Sequence, residues 1–114
     1  MKSIAILCDE NITLPLIKKS LNAFYTTVSF NSIEALKNSL GSYRPDVIIC
    51  EASTRGLDAR ELFPDISDNY PLVIISSINK PDERRKCFLQ EKHRYLSVPY
   101  FPEEIRTTVE SLLN

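Results

Sequence analysis

The stretch Pro45-Asp46-Val47-Ile48-Ile49-Cys50-Glu51 sets an unbroken apolar run between a proline and an acid. Such a run, with no polar residue in alternation, fits a strand covered on both faces, as in the parallel sheets of α/β proteins. Working outward from this strand, at Asp46 to Cys50, four similar short segments stand at regular intervals: Ile4 to Cys8, Thr27 to Phe30, Leu72 to Ser76 and Tyr95 to Val98. Each is followed by residues at helical spacing. Leu14, Ile17, Leu21 and Phe24 share one face of a first helix, and Ile33, Leu36 and Leu40 one face of a second, with Gly41 as its stop signal. A short third helix is expected from Asp58 to Phe63, halted by Pro64. A charged fourth runs from Asp82 to about Glu91. A fifth opens at Pro102-Glu103-Glu104 and continues with Ile105, Val109, Leu112 and Leu113 on one face.

Five βα units in succession require a parallel sheet with right-handed crossovers. The expected architecture is α/β: a flavodoxin-like (βα)5 doubly wound sandwich with a five-stranded parallel sheet of order 2-1-3-4-5. The chain has 114 residues, 43% hydrophobic and 25% charged, which suits one domain over residues 1–114. In this topology ligands bind where the chain reverses direction, beyond the carboxyl ends of strands 1 and 3. There the sequence puts Asp9 and Glu10 after the first strand and Glu51 after the third.

Composition narrows the function. With only two glycines, Gly41 and Gly56, the chain has no glycine-rich nucleotide or phosphate loop. One histidine and three scattered cysteines cannot supply the paired ligands of a zinc finger. The net charge of −1 gives no general attraction to nucleic acid or anionic lipid. The first apolar run is too short for a signal peptide or a membrane span, and the cysteines read as reduced thiols, so a cytoplasmic location is expected. Cys8 and Cys50 read as core residues on neighbouring strands, and His93 as a solvated residue in the turn after the fourth helix.

With these segments in place, the whole chain resembles the receiver domain of bacterial two-component response regulators. Ile6-Leu7-Cys8-Asp9-Glu10 looks like the acidic motif of strand 1, and Pro45 to Glu51 like the strand that ends in the phosphoaccepting aspartate. Gly56-Leu57-Asp58 with Glu61-Leu62 follows at the family spacing. Pro71 to Ser76 looks like strand 4, with Ser76 at the switch Ser/Thr position. Tyr95-Leu96-Ser97-Val98-Pro99 and Pro102 to Ile105 look like strand 5 and the last helix, with Tyr95 at the switch aromatic position. The resemblance requires no cofactor and admits magnesium, for which Glu10, Glu51 and the Ser53 carbonyl would be the ligands.

Two departures bear on the chemistry. Glu51 stands where the family has aspartate, and Val98 stands before Pro99 where the family has lysine. Acyl phosphate formation needs the carboxylate in line with the phosphoryl group while cations neutralise its oxygens. Glutamate is one methylene too long, and valine carries no charge. The expectation is a degenerate, pseudo-receiver variant, not an enzyme, that signals through protein contacts. The alternative is a metal-dependent, phosphoryl-responsive receiver with an altered acidic pocket of Asp9, Glu10 and Glu51; Arg55 is the candidate counter-charge for that pocket in place of a metal. A third reading, a small flavodoxin-like enzyme or cofactor binder, fits poorly with an acidic pocket and few glycines.

The expected partner surface is the face of the fourth helix, fifth strand and fifth helix, with Arg84, Arg85, Tyr100 and Phe101 as its contacts to a protein partner or a second copy. Arg84 and Arg85 belong to a basic concentration with Lys80, Lys86, Lys92 and Arg94. Asp82, Glu83 and Glu91 dilute it, which favours an acidic protein over nucleic acid. An output domain in a longer protein is compatible with the resemblance, and no membrane contact is expected.

Overall fold

The computed structural model describes residues 2–7, 13–51, 66, 69–76, 93–97 and 101–113. The strands are β1 (Ser3–Leu7), β2 (Thr26–Phe30), β3 (Val47–Glu51), β4 (Leu72–Ser76) and β5 (His93–Ser97), and the described helices are α1 (Thr13–Leu21), α2 (Ile33–Ser39) and the C-terminal α3 (Pro102–Leu113). All pairings are parallel, in the order β2-β1-β3-β4-β5. The expected fold and strand order are therefore present. The expected third and fourth helices, over residues 58–63 and 82–91, lie outside the described residues.

β1, β3 and β4 form the floor of the molecule. Ile4, Ile6, Val47, Ile49, Val73 and Ile75 pack with Leu14, Ile17 and Leu21 of α1 and Ile105 and Val109 of α3 in one core layer. Ala5, Leu7, Ile48, Cys50, Leu72 and Ile74 pack with Leu36 of α2 and Ile66 in the other. Successive residues of a strand alternate between these layers, so the three central strands are apolar along their buried lengths, Ile4 to Leu7, Val47 to Cys50 and Leu72 to Ile75.

Each described helix has a local cause. In α1, Leu14, Ile17 and Leu21 recur at i, i+3 and i+7, Pro15 is tolerated in the first turn, and Lys18 and Lys19 complement the helix dipole in the last. The helix ends at Leu21, before Phe24. Phe24 is consequently 48% exposed and not a core residue; Tyr25, next along the chain, packs against the core instead. Ser32 caps α2, its Oγ accepting from the Ala35 N–H at 3.0 Å. At the other end the Leu40 N–H donates to the carbonyls of Leu36 and Lys37, and the helix stops before Gly41. Gly41 does not adopt a left-handed conformation, so its position marks the stop without providing the cap.

Strand ends also differ from expectation by a residue or two. β5 starts at His93, which pairs with Leu72, so His93 belongs to the sheet and not to a turn. Pairing with a fully buried neighbour recruits His93 and Arg94 despite their polarity, the usual override of local preference by tertiary context. β3 begins after Asp46 because Asp46 serves as a clamp. Its Oδ2 accepts from the Ser3 N–H at 2.7 Å while its own N–H donates to the Ser3 carbonyl at 2.7 Å. Lys2 Nζ stands 3.9 Å from Asp46 Oδ1, and Ser3 Oγ hydrogen-bonds the Tyr43 hydroxyl.

Candidate functional site

The site read from the sequence lies at the carboxyl ends of the two strands on either side of the direction change. β1 ends at Leu7, in register with Cys50, and β3 continues one residue further to Glu51, in register with Ile75 of β4. Glu51 is thus the last residue of the central strand, at the point where the fold builds binding sites. Beneath it Leu7, Ile49 and Cys50 are fully buried.

Ser76 is the last residue of β4 and pairs with Ser97, while Tyr95 pairs with Ile74 in the middle of β5. The backbone thus sets Glu51, Ser76 and Tyr95 on three adjacent strands. The remaining site residues, Asp9, Glu10, Ser53, Arg55 and Val98, lie outside the described residues, as do the partner-surface residues Arg84, Arg85 and Tyr100 and the cysteine Cys8. Phe101, just before α3, is 72% exposed and does not tuck beneath the helix. Among the described residues no cluster of three or more His, Cys, Asp or Glu side chains is placed to hold a metal ion. No described helix is long and apolar enough to cross a membrane.

A second feature was not foreseen from the sequence. A groove of about 220 Å³ runs between α1 and α3, lined by Lys19, Ser20, Phe24, Pro102, Glu103 and Arg106. The Arg106 guanidinium lies 4.8 Å from the centre of the Phe24 ring, in cation–π range, and its Nε is 3.7 Å from Glu110 Oε1. Nearby, burial pushes the Tyr25 phenol above its ordinary pKa; the Glu110 charge adds to this and Arg106 opposes it. The sequence carried no signal for it, because the step from Leu21 to Phe24 continues the helical spacing that α1 itself does not follow.

No protein-family model matches this chain, and no curated protein does. Solved structures do. A two-component response regulator from Clostridium difficile is 19% identical, with a TM-score of 0.86 over 99% of this chain and 96% of that one. The N-terminal domain of the nisin resistance regulator NsrR, a lantibiotic response regulator, is 18% identical, with a TM-score of 0.84 over 100% and 99%. The chemotaxis response regulator CheY4 of Vibrio cholerae is 16% identical, with a TM-score of 0.81 over 98% of each chain. At such identities the likeness speaks to architecture: this chain has the flavodoxin-like α/β fold found in response regulator receiver domains.

Proposed function

We propose that this chain is an atypical receiver-type signalling domain that works through protein contacts and does without ordinary aspartyl phosphorylation. The observation that carries the reading is the end of β3: in a receiver-like fold, the central strand finishes on Glu51. A glutamate there carries its carboxylate one methylene past the in-line position, and a displacement on the order of 1 Å can cost about a hundredfold in rate. Val98 removes the ammonium that would neutralise a bound phosphoryl group and report its arrival. Asp9, Glu10 and Glu51 then form an acidic pocket whose charge repulsion is relieved by proton uptake or by a cation such as magnesium.

Without the phosphoryl signal, the switch positions Ser76 and Tyr95 respond to whichever partner binds one conformation more tightly. The partner face is the one built from the expected fourth helix, β5 and α3, with Arg84, Arg85, Tyr100 and Phe101. The exposure of Phe101 supports it, since a large apolar side chain in water suits a contact surface. In this reading the domain is cytoplasmic and serves as a stand-alone module or joined to an output domain; the NsrR structure is likewise of an N-terminal domain.

The test is incubation with magnesium and a small acyl phosphate donor, read by intact mass. The native chain should gain no phosphoryl increment, whereas a variant combining Glu51→Asp with Val98→Lys should. A stable adduct on Glu51 of the native chain overturns the proposal.

A further inference from the structure

We infer that the open edge of β2 pairs with the β2 of a second copy, joining two five-stranded sheets into one. The contact lies at the opposite edge of the sheet from the partner face above and is independent of any signalling role. Among the described residues β2 ends the sheet, with β1 alone beside it. The Thr26 N–H donates to the Lys2 carbonyl at 2.9 Å, and Thr26 is in register with Ser3, which sets the phase of the ladder. In a parallel pair the peptide groups of alternate residues turn toward the neighbouring strand. Those of Thr26, Val28 and Phe30 therefore face β1, and those of Thr27 and Ser29 face away from it. Among the described residues no hydrogen bond reaches these outward groups. The Thr27 hydroxyl is held separately, donating to Asn22 Oδ1 at 2.7 Å.

The sequence leaves this edge unguarded. Exposed edges ordinarily carry charge, proline or a bulge that keeps other strands off. From Ser20 to Ile33 the chain has no charged residue, proline or glycine, although 25% of the whole is charged. At the opposite edge β5 carries His93 and Arg94. The pairing of β2 with β1 runs without a bulge from Thr26 to Phe30, and Val28 at its centre is 36% exposed. These features point to the same strand from another copy as the occupant. Laid antiparallel about Val28, Thr-Thr-Val-Ser-Phe is its own complement. Thr27 of each copy meets Ser29 of the other, and each of these pairs exchanges two hydrogen bonds between outward peptide groups. Val28 meets Val28 between them, in the non-bonded pair where Cα atoms stand about 4.5 Å apart, and Thr26 meets Phe30. Every outward N–H and C=O of the strand is thereby used, and no like charges are opposed. A two-fold interface must match itself in this way, whereas a charged strand would find no counter-charge along this edge.

The test follows the whole chain by sedimentation velocity and amide hydrogen exchange in a concentration series, with circular dichroism as a control for folding. One strand pair buries less than a standard interface, so the expected dimer is weak, with a Kd on the order of 0.1 mM, and the series extends to about 1 mM. As the dimer forms, exchange at the Thr27 and Ser29 amides should slow, while the Val28 and Phe30 amides, already bonded to β1, should not change. Val28→Lys and Val28→Glu should each weaken association about tenfold, because symmetry sets the new charge against itself. Mixing these two variants in equal amounts should bring it back to within about threefold of the native chain. A chain that stays monomeric throughout the series overturns the proposal. So does a dimer that leaves exchange at Thr27 and Ser29 as it was, one that both Val28 variants form as readily, or one that the mixture fails to restore. Exchange in the native chain decides the matter even where a Val28 variant folds poorly.

Discussion

Replacing Asp46 tests how the two strands leading to Glu51 are held in register. The carboxylate accepts from the Ser3 N–H at 2.7 Å, a bond from backbone to a charged group, and such bonds contribute about 1.5 to 3 kcal/mol. The side chain is 34% exposed and Ser3 is half-buried, so water partly replaces the lost acceptor and the lower end applies: Asp46→Ala should cost about 1.5 kcal/mol. For a domain of this size that is a fall of about 6 °C in Tm. Asp46→Asn keeps an acceptor but loses its charge and should cost about half as much. Lys2, 59% exposed and 3.9 Å away, adds little, so Lys2→Ala should change stability by less than about 0.5 kcal/mol. Urea unfolding at low salt and at 1 M salt separates the contributions, because salt screens the ion pair and leaves the hydrogen bond. The reasoning fails if Asn is as damaging as Ala, or if the Ala penalty disappears at high salt.

Ile17→Ala, at a fully buried position in the layer between α1 and the sheet, should destabilise by about 3 kcal/mol in denaturant unfolding, whereas Leu16→Ala on the exposed side of α1 should stay within about 0.5 kcal/mol. Tyr25 governs behaviour at high pH. Its folded-state pKa lies above the ordinary 10.0, so the neutral phenol's contribution is whole below about pH 10 and fades as pH rises through the folded value. Tyr25→Phe should flatten this alkaline loss of stability, and Glu110→Gln should lower the phenol's midpoint in an ultraviolet titration. An alkaline profile unchanged by Tyr25→Phe would refute the assignment.

The central strands were legible because burial on two faces leaves a strong mark: β4 runs from Leu72 to Ser76 as its sequence implies, and the strand order follows from alternation of strands and helices. Strand edges were less so. His93 and Arg94 carry nothing local that says strand; their place in β5 comes from the partner β4 supplies across the sheet. Phe24 matched a helical spacing that α1 does not reach, since periodicity indicates a face but not where the helix ends. Asp46 read as the opening residue of a strand, while its contact with Ser3 pairs residues far apart in sequence, which no local pattern encodes. At the candidate site, sequence and topology agree on Glu51 at the end of β3 because strand position alone determines it. Asp9, Glu10 and Val98, the residues the sequence sets beside it, lie outside the described residues.

The parallel sheet has a consequence for synthesis on the ribosome. β1 emerges first yet hydrogen-bonds only with segments made later: Ile4 aligns with Thr27 of β2 on one side and with Val47 of β3 on the other. Until β3 is released, the most apolar early segment of the chain has an open edge, and non-local pairings of this kind form slowly. The interval between making Leu7 and releasing Glu51 is therefore when the nascent chain is most prone to self-association, and when a chaperone shielding Ile4 to Leu7 would improve the yield of folded protein.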